Sequence, residues 1–150
     1  NWITGDVESA LLVIKKPFSS QDFVGLEVIN SKSDFNVEIQ GEQVFVQITM
    51  GVDANIGDIQ GPLNLVERPE AWKIMEKRMT AVIENDIRAA INKAKEFNSD
   101  IFGFGRAIHR QYPQEWKQLQ GKWDLIFPQI EVQTEIIGKI FRPGVVISGH

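Results

Sequence analysis

The side chains that most often carry chemistry are scarce in this chain. Cysteine is absent and there are only two histidines, His109 and His150. Without a thiolate, disulfides, cysteine-ligated zinc, iron–sulfur clusters and cysteine nucleophiles are excluded. A histidine-based triad or metal site would need both imidazoles side by side, so His109 is expected to be a half-exposed surface histidine. The stretch Asp53-Ala54-Asn55-Ile56-Gly57-Asp58 has the acidic rhythm of a calcium loop. The position that should hold the bidentate glutamate is Asn64, and the glycine is displaced by one place, so a polar turn is expected instead. Gly103 and Gly105, in Asp100–Gly105, could suggest a phosphate cradle near a helix start. A third glycine, a following Lys-Ser or Lys-Thr and a preceding strand are all missing. Carboxylates such as Glu84 and Asp86 converge with nothing. The residues therefore point to no catalytic group, no cofactor and no metal.

The two glycines carry a different message. Glycine inside a helical turn costs up to about 1 kcal/mol relative to alanine, so its use twice implies that bulky groups lie close. Phe102, Phe104, Trp116, Trp123 and Phe127 crowd the same segment, with Arg106, Arg110 and Lys117 among them. Some of these rings must be core. Those left exposed would form, with the cations, an apolar and basic patch suited to a partner. The candidate partner-contact residues are therefore Phe102, Phe104, Arg106, Arg110, Trp116, Lys117, Trp123 and Phe127.

These residues need a scaffold, and the hydrophobic pattern supplies one. From Leu26 to Val52 apolar residues recur at alternate positions, first as Leu26 and Val28, then Phe35, Val37 and Ile39, then Val44, Val46, Ile48, Met50 and Val52. This predicts a three-strand meander. Gly41-Glu42 suits a type II′ hairpin, with glycine supplying the positive φ of the first central position. That turn sets Ile39 opposite Val44, Val37 opposite Val46 and Phe35 opposite Ile48. A four-residue loop, Ser31-Lys32-Ser33-Asp34, is expected to pair Val28 with Val37. Ala10–Ile14 reads as a buried central strand closed by Lys15-Lys16-Pro17, and Asp53 to Val66, with its glycines and Pro62, reads as a loop.

A helix is predicted from Glu70 to Phe97, because Trp72, Met75, Met79, Val82, Ile83, Ile87, Ala90, Ile91, Ala94 and Phe97 recur at three- and four-residue spacing behind Pro69. Asn98 would end it in a left-handed conformation. Ser99 or Asp100 would cap a second helix through Gln111, and Pro113 would open a third, ended by Gly121. Ile130 to Arg142 returns to alternation and must join the sheet. The expected fold is α+β: a mostly antiparallel sheet of about five strands, with one long and two short helices on one face. Residues 1–142 form a single domain in this reading, with 143–150 a loose tail.

The 150 residues, 43% hydrophobic and 24% charged, suffice for one domain with an ordinary core. Sixteen basic against twenty acidic residues give a formal charge of −4, which argues against nucleic acid as partner. The longest apolar run, Ala10–Ile14, is far below the roughly 20 residues that cross a membrane as a helix. The fragment is expected to be soluble. It opens at Asn1 without an initiator methionine or signal-peptide pattern, as expected of a piece of a longer protein.

The segment Asp100–Gly105, followed by Pro113, Trp116, Trp123-Asp124, Phe127-Pro128, Glu131-Val132, Arg142 and Gly144, resembles the C-terminal domain of the spore germination C-subunit family, the GerAC-like or Ger(x)C lipoproteins. Trp2 to Gly5, the meander and the long helix also fall in the family's order. The resemblance implies a non-catalytic domain of a germinant receptor, acting in assembly or signalling beside integral-membrane subunits at the spore inner membrane. It also implies a lipidated N-terminal cysteine and preceding domains, which this chain does not contain. The alternative is a small-ligand domain that holds a germinant between sheet and helices.

Overall fold

The computed structural model describes residues 10–18, 22–59 and 69–141. Trp2 to Gly5, the end of the expected loop from residue 60, Arg142, the tail 143–150 and His150 lie outside the described residues. Strands β1 (Ala10–Lys15), β2 (Phe23–Gln40), β3 (Gln43–Ile59) and β4 (Glu131–Phe141) form one sheet in the order β1-β2-β3-β4. The β1/β2 and β2/β3 pairings are antiparallel, while β4 lies parallel to β3. Between β3 and β4 run α1 (Pro69–Glu96), α2 (Phe104–Gln111), α3 (Pro113–Leu119) and the single turn α4 (Trp123–Ile126), with short 3-10 turns on either side of α4. The architecture is α+β, with the helices forming the long crossover that a parallel neighbour requires.

The sheet has four strands rather than about five because β2 is one strand. Val24, Leu26 and Val28 face the core on even positions, whereas Phe35, Val37 and Ile39 do so on odd ones. Parity must change between them. A bulge does this: Val28 pairs with Ala54 and Asn30 with Asp53, leaving Ile29 as the extra residue. The expected loop Ser31–Asp34 is therefore continuous strand, and Val28 faces Ala54 rather than Val37. Strand β3 keeps one parity from Val44 to Ile56, with Val44, Val46, Ile48, Met50, Val52, Ala54 and Ile56 all buried, and a second register shift, opposite Val24 and Leu26, falls only after Ile56. The loop expected from Asp53 thus begins only after Ile59, because Ala54 and Ile56 continue to bury against the core. The hairpin register agrees with expectation: Ile39 with Val44, Val37 with Val46, Phe35 with Ile48. Gly41 has φ +63° and Glu42 is not in the positive region, the II′ pattern. Strand β1 is an edge strand, not a central one. Ile14 is buried, but Leu11 and Val13 project from the opposite face and are exposed.

Helix α1 has Ala71, Met75, Met79, Ile83, Ile87, Ile91 and Ala94 on its buried stripe. Its end is a Schellman motif: Ser99 N–H donates to Ala94 O (2.8 Å) and Asn98 N–H to Lys95 O (3.1 Å), with Asn98 at φ +49°. Phe97, expected in the core, lies past the last helical turn and is 67% exposed. Side chains of α1 also reach along β4. Arg88 Nη1 donates to Val132 O and Lys95 Nζ to Ile130 O, both at 2.7 Å. Ile140 N–H donates to Glu76 Oε2 (3.2 Å) and Thr134 Oγ1 to Glu84 Oε1 (3.0 Å). Polar groups along β4 that would otherwise be open are thereby bonded to the helix, which blunts an edge that could pair with another chain. Burial and the Arg88 guanidinium hold the Lys95 ammonium below the ordinary lysine pKa, against the opposing attraction of Glu131.

The register makes a direct prediction. Val46 is 2% exposed in the centre of the hairpin's inner face. An unpaired carboxylate there costs several kcal/mol, against a total margin of about 5–15 kcal/mol. Val46→Asp should abolish the cooperative melt seen by circular dichroism, and a Tm within a degree or two of the parent's would refute the pairing.

Candidate interaction surface

Helices α2 to α4 form a cap over the hairpin end of the sheet. The ring of Phe104 anchors it, meeting Phe35 of β2 edge-on at 5.1 Å between centroids and Phe102 at 5.5 Å. Asp100 caps α2 from outside the helix: its Oδ1 accepts Phe104 N–H (2.9 Å) and its Oδ2 accepts Gly105 N–H (2.7 Å). One carboxylate thus satisfies two of the orphan donors of the first turn and sits at the positive end of the helix dipole.

The two glycines have different reasons. Gly103, the N-cap, has φ +78° and ψ 31°, a left-handed conformation that a side chain would strain, with open space beyond it. Gly105 is required by proximity. A Cβ there would stand 3.0 Å from Trp116 Cη2, 3.1 Å from Trp123 Nε1 and 3.2 Å from Asp100 Oδ2. The expectation of aromatic packing thus holds for Gly105 and not for Gly103.

Around Gly105 the rings run in series. His109 stacks on Trp116 (6.1 Å, 24°), Trp116 meets Trp123 (5.4 Å, 68°) and Trp123 meets Phe127 (5.9 Å, 45°). Phe102, Phe104 and Phe127 are buried and belong to the core. Trp116 and Trp123 are half-buried, and Arg106, Arg110 and Lys117 are exposed. Arg106 and Arg110 stand one turn apart on α2. The cap's candidate contact residues that reach solvent are therefore two indoles, in part, and three cations.

Sequence reasoning missed the most exposed apolar residues nearby. Leu125 is 76% exposed and Ile101 59%, and with Phe97 they border this cap. Asn98 Nδ2 donates to Asp124 O at 2.7 Å, tying the end of α1 to α4. Phe97 and Ile101 flank a helix stop, a position where the helical period no longer assigns a side chain to the core, and that was the available signal.

Asp53 and Asn55 lie on one face of β3 while Ala54 and Ile56 enter the core, so the acidic stretch is strand and not a turn able to wrap an ion. Among the described residues no three His, Asp or Glu side chains converge as a metal site. No helix among them is long and apolar enough to cross a membrane.

Residues 1–144 match the family model described as Spore germination B3/GerAC like, C-terminal, and the chain belongs to that family. It is similar to Spore germination protein KC of Bacillus subtilis (strain 168), 24% identical over 126 residues, covering 83% of this chain and 31% of that protein. It is also similar to Spore germination protein B3 of the same organism, 20% identical over 148 residues, covering 97% of this chain and 38% of that protein. The chain thus spans about a third of the length of these relatives. Among solved structures, the crystal structure of the GerBC protein superposes with a TM-score of 0.78 at 18% identity, over 93% of this chain and 42% of that one. The likeness shows that the fold is shared.

Packing at Gly105 is open to test. Gly105→Val should lower stability by more than about 1 kcal/mol, since the indoles of Trp116 and Trp123 are themselves wedged between neighbouring rings. Inorganic phosphate should leave the parent's Tm unchanged, and a phosphate-dependent rise would restore the anion-site reading of this turn.

Proposed function

We propose that this domain acts by contact rather than by catalysis, as part of a germinant-receptor C subunit that contributes to receptor assembly or signalling in nutrient-triggered spore germination. The germination proteins KC and B3, to which it is similar, support the setting. In this reading the partners are the integral-membrane subunits of the receptor, and a lipidated cysteine in a preceding part of the subunit holds the domain beside the spore inner membrane. The observation that carries the contact role is the helical cap. There the half-buried Trp116 and Trp123 reach the surface beside Arg106, Arg110 and Lys117, with Phe97, Ile101 and Leu125 exposed at its border. Rigid indoles next to cations, rimmed by aliphatic side chains, are the composition that protein interfaces favour.

The second reading, a germinant held between sheet and helices, has less to support it. The described residues of that layer form one continuous buried cluster, from Ile14 and Val24 through Met79 and Ile83 to Phe104 and Ile130. A small-molecule site needs a concave space with converging polar groups.

Charge reversal at Arg106, Arg110 and Lys117 tests the contact role. The three are exposed, so the fold should survive with a change in Tm of no more than a few degrees. In the full-length subunit, expressed at parental levels, the triple reversal should slow germinant-triggered spore germination. Germination at the parental rate would remove this face from the interface.

A further inference from the structure

We propose that the face of the sheet that the described residues leave open is a second contact surface, which takes an extended basic segment of a partner polypeptide and seats a lysine or arginine side chain over Phe45 between Glu38 and Glu131. This stands independently of the helical cap, which lies on the opposite face.

The register places the pieces. Across β2, β3 and β4, Glu38 pairs with Phe45 and Phe45 with Glu131. The next row on the same face is Asn36, Gln47 and Gln133, and the one after it Asp34, Thr49 and Glu135. Alternation sends their neighbours Val37, Val46 and Val132 into the core, so these nine side chains share the solvent side. Phe45 is an aromatic ring at a position whose parity belongs to solvent, and it is only half-buried. The first two rows, with Gln40 and Val46, line an open groove of about 370 Å³.

The chemistry of the groove is one-signed. Its lining holds two carboxylates and no lysine or arginine. Lys95, which attracts Glu131, donates to Ile130 O, and Lys122 is paired with Glu42 at the hairpin tip. On this face the first basic residue of β2 is Lys32, opposite Gly51 and three rows from Phe45. A half-buried aromatic ring with a carboxylate on either side brings π-electron surface and two anionic acceptors into one place, which is the environment that an ammonium or guanidinium group prefers. The three carboxamides of the next row offer both donors and acceptors, matching the peptide groups of an extended chain. An open groove on a sheet face cannot enclose most of a small ligand's surface, so the cation arrives as a side chain of a polypeptide.

The test is a titration of this chain with tetralysine at physiological salt, followed by NMR of backbone and side-chain amides, with free lysine and tetraglutamate as comparators. Tetralysine should shift the side-chain amides of Asn36, Gln47 and Gln133 most. Glu38→Gln with Glu131→Gln should weaken binding by about tenfold or more, and Phe45→Leu by severalfold. All three substitutions are at solvent-facing positions, and unchanged amide shifts elsewhere would show that the fold is kept. Arg106→Glu should leave the affinity unaltered, which separates this surface from the cap. Three results would each overturn the proposal: shifts spread over all acidic surfaces, undiminished affinity in the double glutamine variant, or free lysine matching the peptide.

Discussion

The unbroken inner face of β3 is the constraint on which the rest of the fold depends. Seven even-numbered residues from Val44 to Ile56 bury their side chains on one side of a 17-residue strand. That length lets β3 serve as a template on both edges, for β2 through an antiparallel hairpin and for β4 in parallel. A strand with one parity cannot pair along its length with one of mixed parity unless the second is bulged. The extra residue at Ile29 is therefore a consequence of the apolar pattern on β2, imposed by the pattern on β3.

A parallel neighbour for β3 requires a long crossover, and the crossover supplies both the cover and the cap. Helix α1 lays its methionine and isoleucine stripe on the sheet while Glu76, Glu84 and Arg88 bond to β4 and Lys95 to Ile130 just before it. Where the strand passes closest, Gly138 leaves room: a Cβ there would fall 2.6 Å from Met79 Cε and 2.9 Å from Thr80 Cγ2. Beyond the Schellman turn at Asn98, the chain folds into short helices whose rings wedge together around Gly105, with Phe104 pinning them to Phe35. The result is a sheet with two unlike faces. One is closed by helices that carry indoles and cations, and the other is left open by the described residues and is locally acidic.

Much of this was legible in particular residues. The Gly41-Glu42 turn and the inner positions of the hairpin followed from alternation and from the need for a positive φ. Pro69 and Asn98 marked the ends of the long helix by the conformations that they favour. Asp100 was recognisable as a cap, although it acts from three residues before the N-cap instead of at it. The aromatic cluster and its basic neighbours could be singled out from the one segment, but which rings would be buried could not, because burial there depends on Phe35 in a distant strand.

What the sequence by itself determined, then, was local: periodicity, the hairpin register, helix ends, and the absence of thiols. What only the tertiary structure decided was how local signals compete. A change of parity between Val28 and Phe35 can be met by a loop or by a bulge, and the choice belongs to β3, whose continuous apolar row rewards an uninterrupted partner. Glycine and aspartate from Asp53 onward favour a turn, yet burial of Ala54 and Ile56 keeps the strand going. The parallel direction of β4 and the edge position of β1 are set by which elements the long helix can cover at once, and no short stretch of sequence encodes that. The open face owes its groove to the same cause: Glu38, Phe45 and Glu131 are far apart in the chain and become neighbours only when three strands align.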